Sequence, residues 1–151
     1  MLRACSGAPF LVGKAERLCR GNLYPTTLHA INSCVLKLSK LTVATPVYRG
    51  VAGRRLPRSF FEKNADGIAG GVEYGFSSTT RKRATAETYA KIKNADKAST
   101  VLEAHMGMVD RGADMSWCSQ YPHEREILFS PLSTLEVLST RVEGCTLIIT
   151  C

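Results

Sequence analysis

Apolar residues recur at Leu28, Ile31, Val35, Leu38 and Leu41 in TTLHAINSCVLKLSKL, a spacing of threes and fours that predicts a helix with Thr26 or Thr27 as its cap. Beyond it the period shortens. TPVYRGVAG is a β-branched and aromatic run closed by glycine and predicts a strand over about 45–51. PRSFFEKNADGIAGG carries turn residues at Asn64, Asp66 and Gly67 and ends on Gly70 and Gly71, so it reads as a connecting loop. VEYGFSSTT reads as the next strand, ATAETYAKIKN as a helix of about two to three turns, and STVLEAHMG as another strand. The polar and aromatic loop VDRGADMSWCSQYPH follows. EREILF, STLEVLSTRVEG and CTLIITC are three β-rich runs that suit an antiparallel meander. A helix followed by many short strands and one more helix predicts an α+β fold with antiparallel sheets. Residues 1–24, with glycine, proline and scattered charge, read as a lead-in, and 25–151 as one domain.

Composition narrows the class. With 151 residues, 44% apolar and 22% charged, the chain has the make-up of a globular protein able to bury its own core. Its net charge of +7 favours a phosphate-bearing ligand or an acidic protein surface. The six cysteines form no C-x-x-C pair and have no histidine at metal spacing, so reduced thiols are expected and a metal is not. The apolar residues of the first segment are interrupted by Ser6, Gly7, Gly13, Lys14 and Glu16, too often for a signal peptide or a membrane span. The expectation is an intracellular protein without membrane partners, a monomer or one module of a longer chain.

Three short stretches carry candidate chemistry. YRG places Arg49, a cation whose fork of donors suits phosphate, before Gly50, whose bare backbone allows close approach of a flat ligand. GFSSTT supplies Ser77, Ser78, Thr79 and Thr80, hydroxyls able to hold a carboxylate in one rotamer. YPHEREILFS places Glu124 and Glu126 two apart, so that strand alternation would put both carboxylates on one face with His123 and Arg125 on the other. Two like charges repel in a shared space, and a chain that keeps them together gains something by it. No G-x-G-x-x-G stretch offers a Rossmann unit, so any nucleotide is held another way.

In this order the three stretches resemble the arginine, serine and glutamate motifs of the toxin-like mono-ADP-ribosyltransferases, over about 45–137. The resemblance implies two mainly antiparallel sheets with flanking helices and an NAD cleft between them. It implies that Arg49 holds the NAD phosphates, that the backbone of Gly50 meets the nicotinamide amide, and that Phe76, Ser78 and Thr79 take their places in the serine motif, with Thr80 where a second serine is usual. Glu126 matches the catalytic glutamate and Ser78 would orient it. Glu124 matches the upstream residue of the E-x-E type, which goes with arginine as acceptor. Tyr121 lies where an aromatic contacts the substrate, and Trp117 is its less certain neighbour. The family's poly-forming branch has histidine where Arg49 stands, so Arg49 points to single transfer. NAD enters as co-substrate, with no metal, and the partner is a protein with an accessible arginine.

Two other readings compete. An NAD glycohydrolase on the same fold would use water as acceptor, and an inactive basic module would bind nucleic acid or phosphoprotein. Nucleic acid is the less favoured partner, because the basic residues of GRRLPRSF and TTRKRAT are scattered without aromatic interleaving. His29, His105 and His123 have no triad arrangement that would give them a catalytic part.

Overall fold

A computed structural model describes residues 24–51, 56–91 and 99–151. The lead-in, Cys5, Cys19, the tail of the second predicted helix and part of GRRLPRSF lie outside these residues. Helix α1 spans Pro25–Ser39. Its boundary residue is Tyr24, in a left-handed conformation, and Pro25 fills the first helical turn; neither Thr26 nor Thr27 caps it. Proline serves there because the first turn's N–H groups have no partner within the helix and its φ is already helical. Most of the apolar stripe does what its spacing predicts, with Val35 buried against Ala113 and Leu128 and Ile31 and Leu38 beside it, but Leu41 lies beyond the helix and is exposed.

The strands are β1 (Pro46–Val51), β2 (Gly70–Glu73), β3 (Ser77–Thr80), β4 (Ser99–His105), β5 (Ala113–Asp114), β6 (Glu126–Phe129), β7 (Ser133–Glu136), β8 (Ser139–Glu143) and β9 (Thr146–Thr150). Helix α2, Arg83–Lys91, lies between β3 and β4. Seven strands form one sheet in the order β5-β6-β3-β1-β4-β9-β8, and β2 pairs with β7 in a second. One face of the large sheet is covered by the helices: α1 packs on Leu128, and α2 on Val101 and Ile148 through Ala86 and Ala90. The opposite face meets the small sheet, where Leu102 and Ile149 pack with Phe60 and Leu135. Val47, Val101, Ile127 and Ile149 are fully buried between these layers.

Several local expectations change here. VEYGFSSTT is two strands in two sheets, because the chain leaves the small sheet at Tyr74 and enters the large one at Ser77. STLEVLSTRVEG divides in the same way between β7 and β8. Gly70 and Gly71 belong to β2 rather than to the loop, and the carbonyl of Leu135 lies 1.9 Å from where a Cβ of Gly70 would be. The C-terminal runs are no meander: β8 and β9 form a hairpin over Gly144, but β9 lies parallel to β4, while β6 pairs with β3 and β5. The turn around Asn64 is as expected, its side-chain oxygen accepting the N–H groups of Asp66 and Ile68 at 2.9 and 3.0 Å.

Candidate active site

Strand β3 is the hub of the site. Alternation sends Ser77 and Thr79 towards the small sheet and Ser78 and Thr80 towards the helices. Neighbouring hydroxyls therefore serve opposite faces. Arg49 donates to Ser77 Oγ at 2.5 Å and to Glu73 Oε2 at 2.9 Å, in a cleft lined by Val47, Thr79, Leu102, Ala104 and Leu135. On the other face Ser78 donates to Glu126 Oε1 at 2.6 Å. Strands β1 and β6 flank β3, so Arg49 and Glu126 stand two strand spacings apart, roughly 10 Å.

The sheet opens beside this hub. β1 pairs with β4 along its whole length, yet with β3 only at Tyr48 and Thr80. From Arg49 onward that pairing stops, which leaves a gap in the ladder between β1 and β3.

Glu124 reaches the site by a turn, not by strand alternation. Pro122–Glu124 is one turn of 3-10 helix, Arg125 takes a left-handed φ of 50°, and β6 begins only at Glu126. The expected face pattern for His123 and Arg125 therefore does not apply. The turn is pinned twice. Thr80 Oγ1 donates to the Glu124 carbonyl at 2.5 Å and accepts the N–H of Lys82 at 2.9 Å, tying the turn to the approach of α2. Tyr89 on α2 donates its phenol to Glu124 Oε1 at 2.7 Å. The phenol is held above its ordinary pKa first by that hydrogen bond, then by burial and by the negative charge of Glu124 and Glu126. Both carboxylates thus act on one side chain.

The remaining expected residues are placed as follows. Gly50 packs under α2, where a Cβ would lie 2.1 Å from the Ala86 carbonyl oxygen, so helix packing alone requires its missing side chain. Phe76 packs with Val35, Ala113 and Leu128 beneath α1. Thr79 is buried and spends its hydroxyl on the Ile127 carbonyl at 2.8 Å. Tyr121 is 53% exposed, stacks edge-on against His123 and shares a loop with Trp117, 72% exposed. Glu73 and Tyr89 were missed in the sequence: each reaches its partner across 24 or 35 residues, with no local spacing to reveal it.

No known protein-family model matches the chain, and no curated protein matches it by sequence. Solved structures do. The ADP-ribosyltransferase HopU1 of Pseudomonas syringae pv. Tomato DC3000 is 21% identical, with a TM-score of 0.64 over 95% of this chain and 65% of its own. Vis, an ADP-ribosyltransferase from Vibrio Splendidus solved with agmatine, is 18% identical, with a TM-score of 0.64 over 97% of this chain and 63% of its own. Exoenzyme S from Pseudomonas aeruginosa, solved with human 14-3-3 protein beta and carba-NAD, is 15% identical, with a TM-score of 0.59 over 92% of this chain and 64% of its own. This chain thus spans just under two thirds of each of the three. Its layers, its two sheets and its flanking helices are those of the ADP-ribosyltransferase fold.

Proposed function

We propose that the chain is a mono-ADP-ribosyltransferase that takes NAD and transfers ADP-ribose to an arginine of a protein acceptor. The observation that carries this reading is a pair of carboxylates held by separate hydroxyls, Glu126 by Ser78 and Glu124 by Tyr89, two strands from an arginine in a cleft. A solved structural neighbour bound to carba-NAD and another bound to agmatine support the choice of both substrates.

The residues fit NAD by charge and placement. Arg49 meets the pyrophosphate after giving up Glu73, while the backbone at Gly50 faces the gap where the nicotinamide amide would lie. Glu126, oriented by Ser78, sets negative charge beside the ribose as its C1′–N bond breaks. The bonding electron pair goes to the pyridinium nitrogen, which neutralises the leaving group, so the chain needs no general acid. A guanidine nitrogen then bonds to C1′, and Glu124 takes the proton it loses. A charged guanidinium, with a pKa above about 12, is a poor nucleophile without that base. Exposed Tyr121 and Trp117 offer the acceptor protein an apolar and aromatic contact.

Incubation with NAD and agmatine tests this, with nicotinamide and ADP-ribosyl-agmatine measured together. Both products are expected. Nicotinamide with free ADP-ribose alone would move the assignment to NAD glycohydrolase, and neither product would overturn an enzymatic reading.

A further inference from the structure

We infer that Tyr89 is the positioning residue of the acceptor half-site: its phenol locks the Glu124 carboxylate to helix α2 and so decides how well arginine competes with water. This rests on the transferase reading above. Glu124 sits in a solvent-facing turn whose neighbours Tyr121, Pro122, His123 and Arg125 are all exposed. Left alone, a glutamate there would sample many rotamers, and aligning it with a guanidinium would cost conformational entropy. Thr80 holds only its backbone. The side chain is held by Tyr89, at 2.7 Å from Oε1.

The anchor is rigid at its other end. Ala86 and Ala90 are buried on Val101 and Ile148, and α2 lies so close to β1 that Gly50 has no room for a Cβ. Tyr89 therefore carries the position of the sheet out to the turn. With Oε1 occupied, Oε2 is left to accept a guanidinium proton. The arrangement repeats what Ser78 does for Glu126, with a hydroxyl from a helix in place of one from a strand. The two carboxylates are positioned independently, and the two halves of the reaction can be uncoupled by removing one hydroxyl.

The test compares wild type, Tyr89→Phe, Glu124→Gln and the double variant, with NAD and agmatine. Phenylalanine keeps the ring and removes only the donor. The ratio of ADP-ribosyl-agmatine to free ADP-ribose is expected to fall about tenfold in Tyr89→Phe, mostly in kcat. In the Glu124→Gln background Tyr89→Phe should have no further effect on that ratio. An unchanged ratio, or equal additional loss in the double variant, overturns the proposal. Wild type, Tyr89→Phe, Glu124→Ala and their double variant are unfolded in denaturant without substrate, alanine being used because a glutamine oxygen would still accept the phenol. Their midpoints should be non-additive, and additive midpoints mean the contact does not form, which also overturns it. Coupled midpoints with a wild type that releases no nicotinamide would instead sink the transferase reading, and the acceptor role with it.

Discussion

Arg49 binds two groups at once, and that sets its behaviour towards a ligand. On the proposed reading its contact with Glu73 would be surrendered to a phosphate of NAD, whereas that with Ser77 can remain. An ion pair in which both side chains are about one-third exposed contributes up to about 1 kcal/mol. Glu73→Gln is therefore expected to lower the KM for NAD by roughly twofold to fivefold with kcat little changed. A raised KM would mean that Glu73 aligns Arg49 rather than competing for it. At the glutamates the expected result is asymmetric. Glu126→Gln should abolish both transfer and NAD hydrolysis. Glu124→Gln should lower transfer on the order of a hundredfold or more while some hydrolysis persists; parallel loss of both would refute the division of labour. Arg49, Ser78 and Glu126 were singled out in the sequence by their resemblance to the arginine, serine and glutamate motifs, since no single run carries their roles. Glu73 and Tyr89 were not singled out, and Ser77, read as one of four hydroxyls for a carboxylate, meets Arg49 instead; no motif names these partners and only the folded chain brings them together.

Among the elements, α2 and β1 are the closely packed pair that, on the proposed reading, would position the acceptor side. Gly50 lets them touch, so Gly50→Ala should cost about 1–3 kcal/mol in denaturant unfolding. The same variant should also lower activity, because α2 carries Tyr89 and a displaced helix moves Glu124. Full stability in Gly50→Ala would show that the helix shifts without strain. The apolar period predicted α1, and the β-branched and aromatic run closed by glycine predicted β1; both depend on local side-chain chemistry. The breaks within VEYGFSSTT and STLEVLSTRVEG were invisible, since a strand that changes sheets keeps its β-rich composition on both sides of the crossing. Nothing in CTLIITC reveals that β9 pairs in parallel with β4, for the apolar residues would be buried equally well in either direction.

For the molecule as a whole, alkaline pH is the expected weakness. Burial pushes the Cys151 thiol up from 9.0 to about 11, and the Tyr89 phenol is raised by its bond to Glu124. Both groups are held protonated in the folded state beyond the point where the unfolded chain releases its proton. The contribution of Cys151 is complete below pH 9.0 and declines as pH rises through about 11, and Tyr89 adds to the loss in the alkaline range. Unfolding midpoints measured from pH 8 to 11 should fall, and fall less in Cys151→Ala; a flat profile would refute this. The four cysteines among the described residues, Cys34, Cys118, Cys145 and Cys151, all carry free thiols, as their spacing suggested. By itself the sequence determined the α+β class, the principal helices and strands, and the order of arginine, hydroxyl cluster and paired glutamates, because each depends on side-chain period or local chemistry. Tertiary structure decided which strand lies beside which, where β1 and β3 part, that adjacent serines serve opposite faces, and that Glu124 is held from a helix. Those depend on contacts between distant segments, whose geometry is settled only when the layers close around one core.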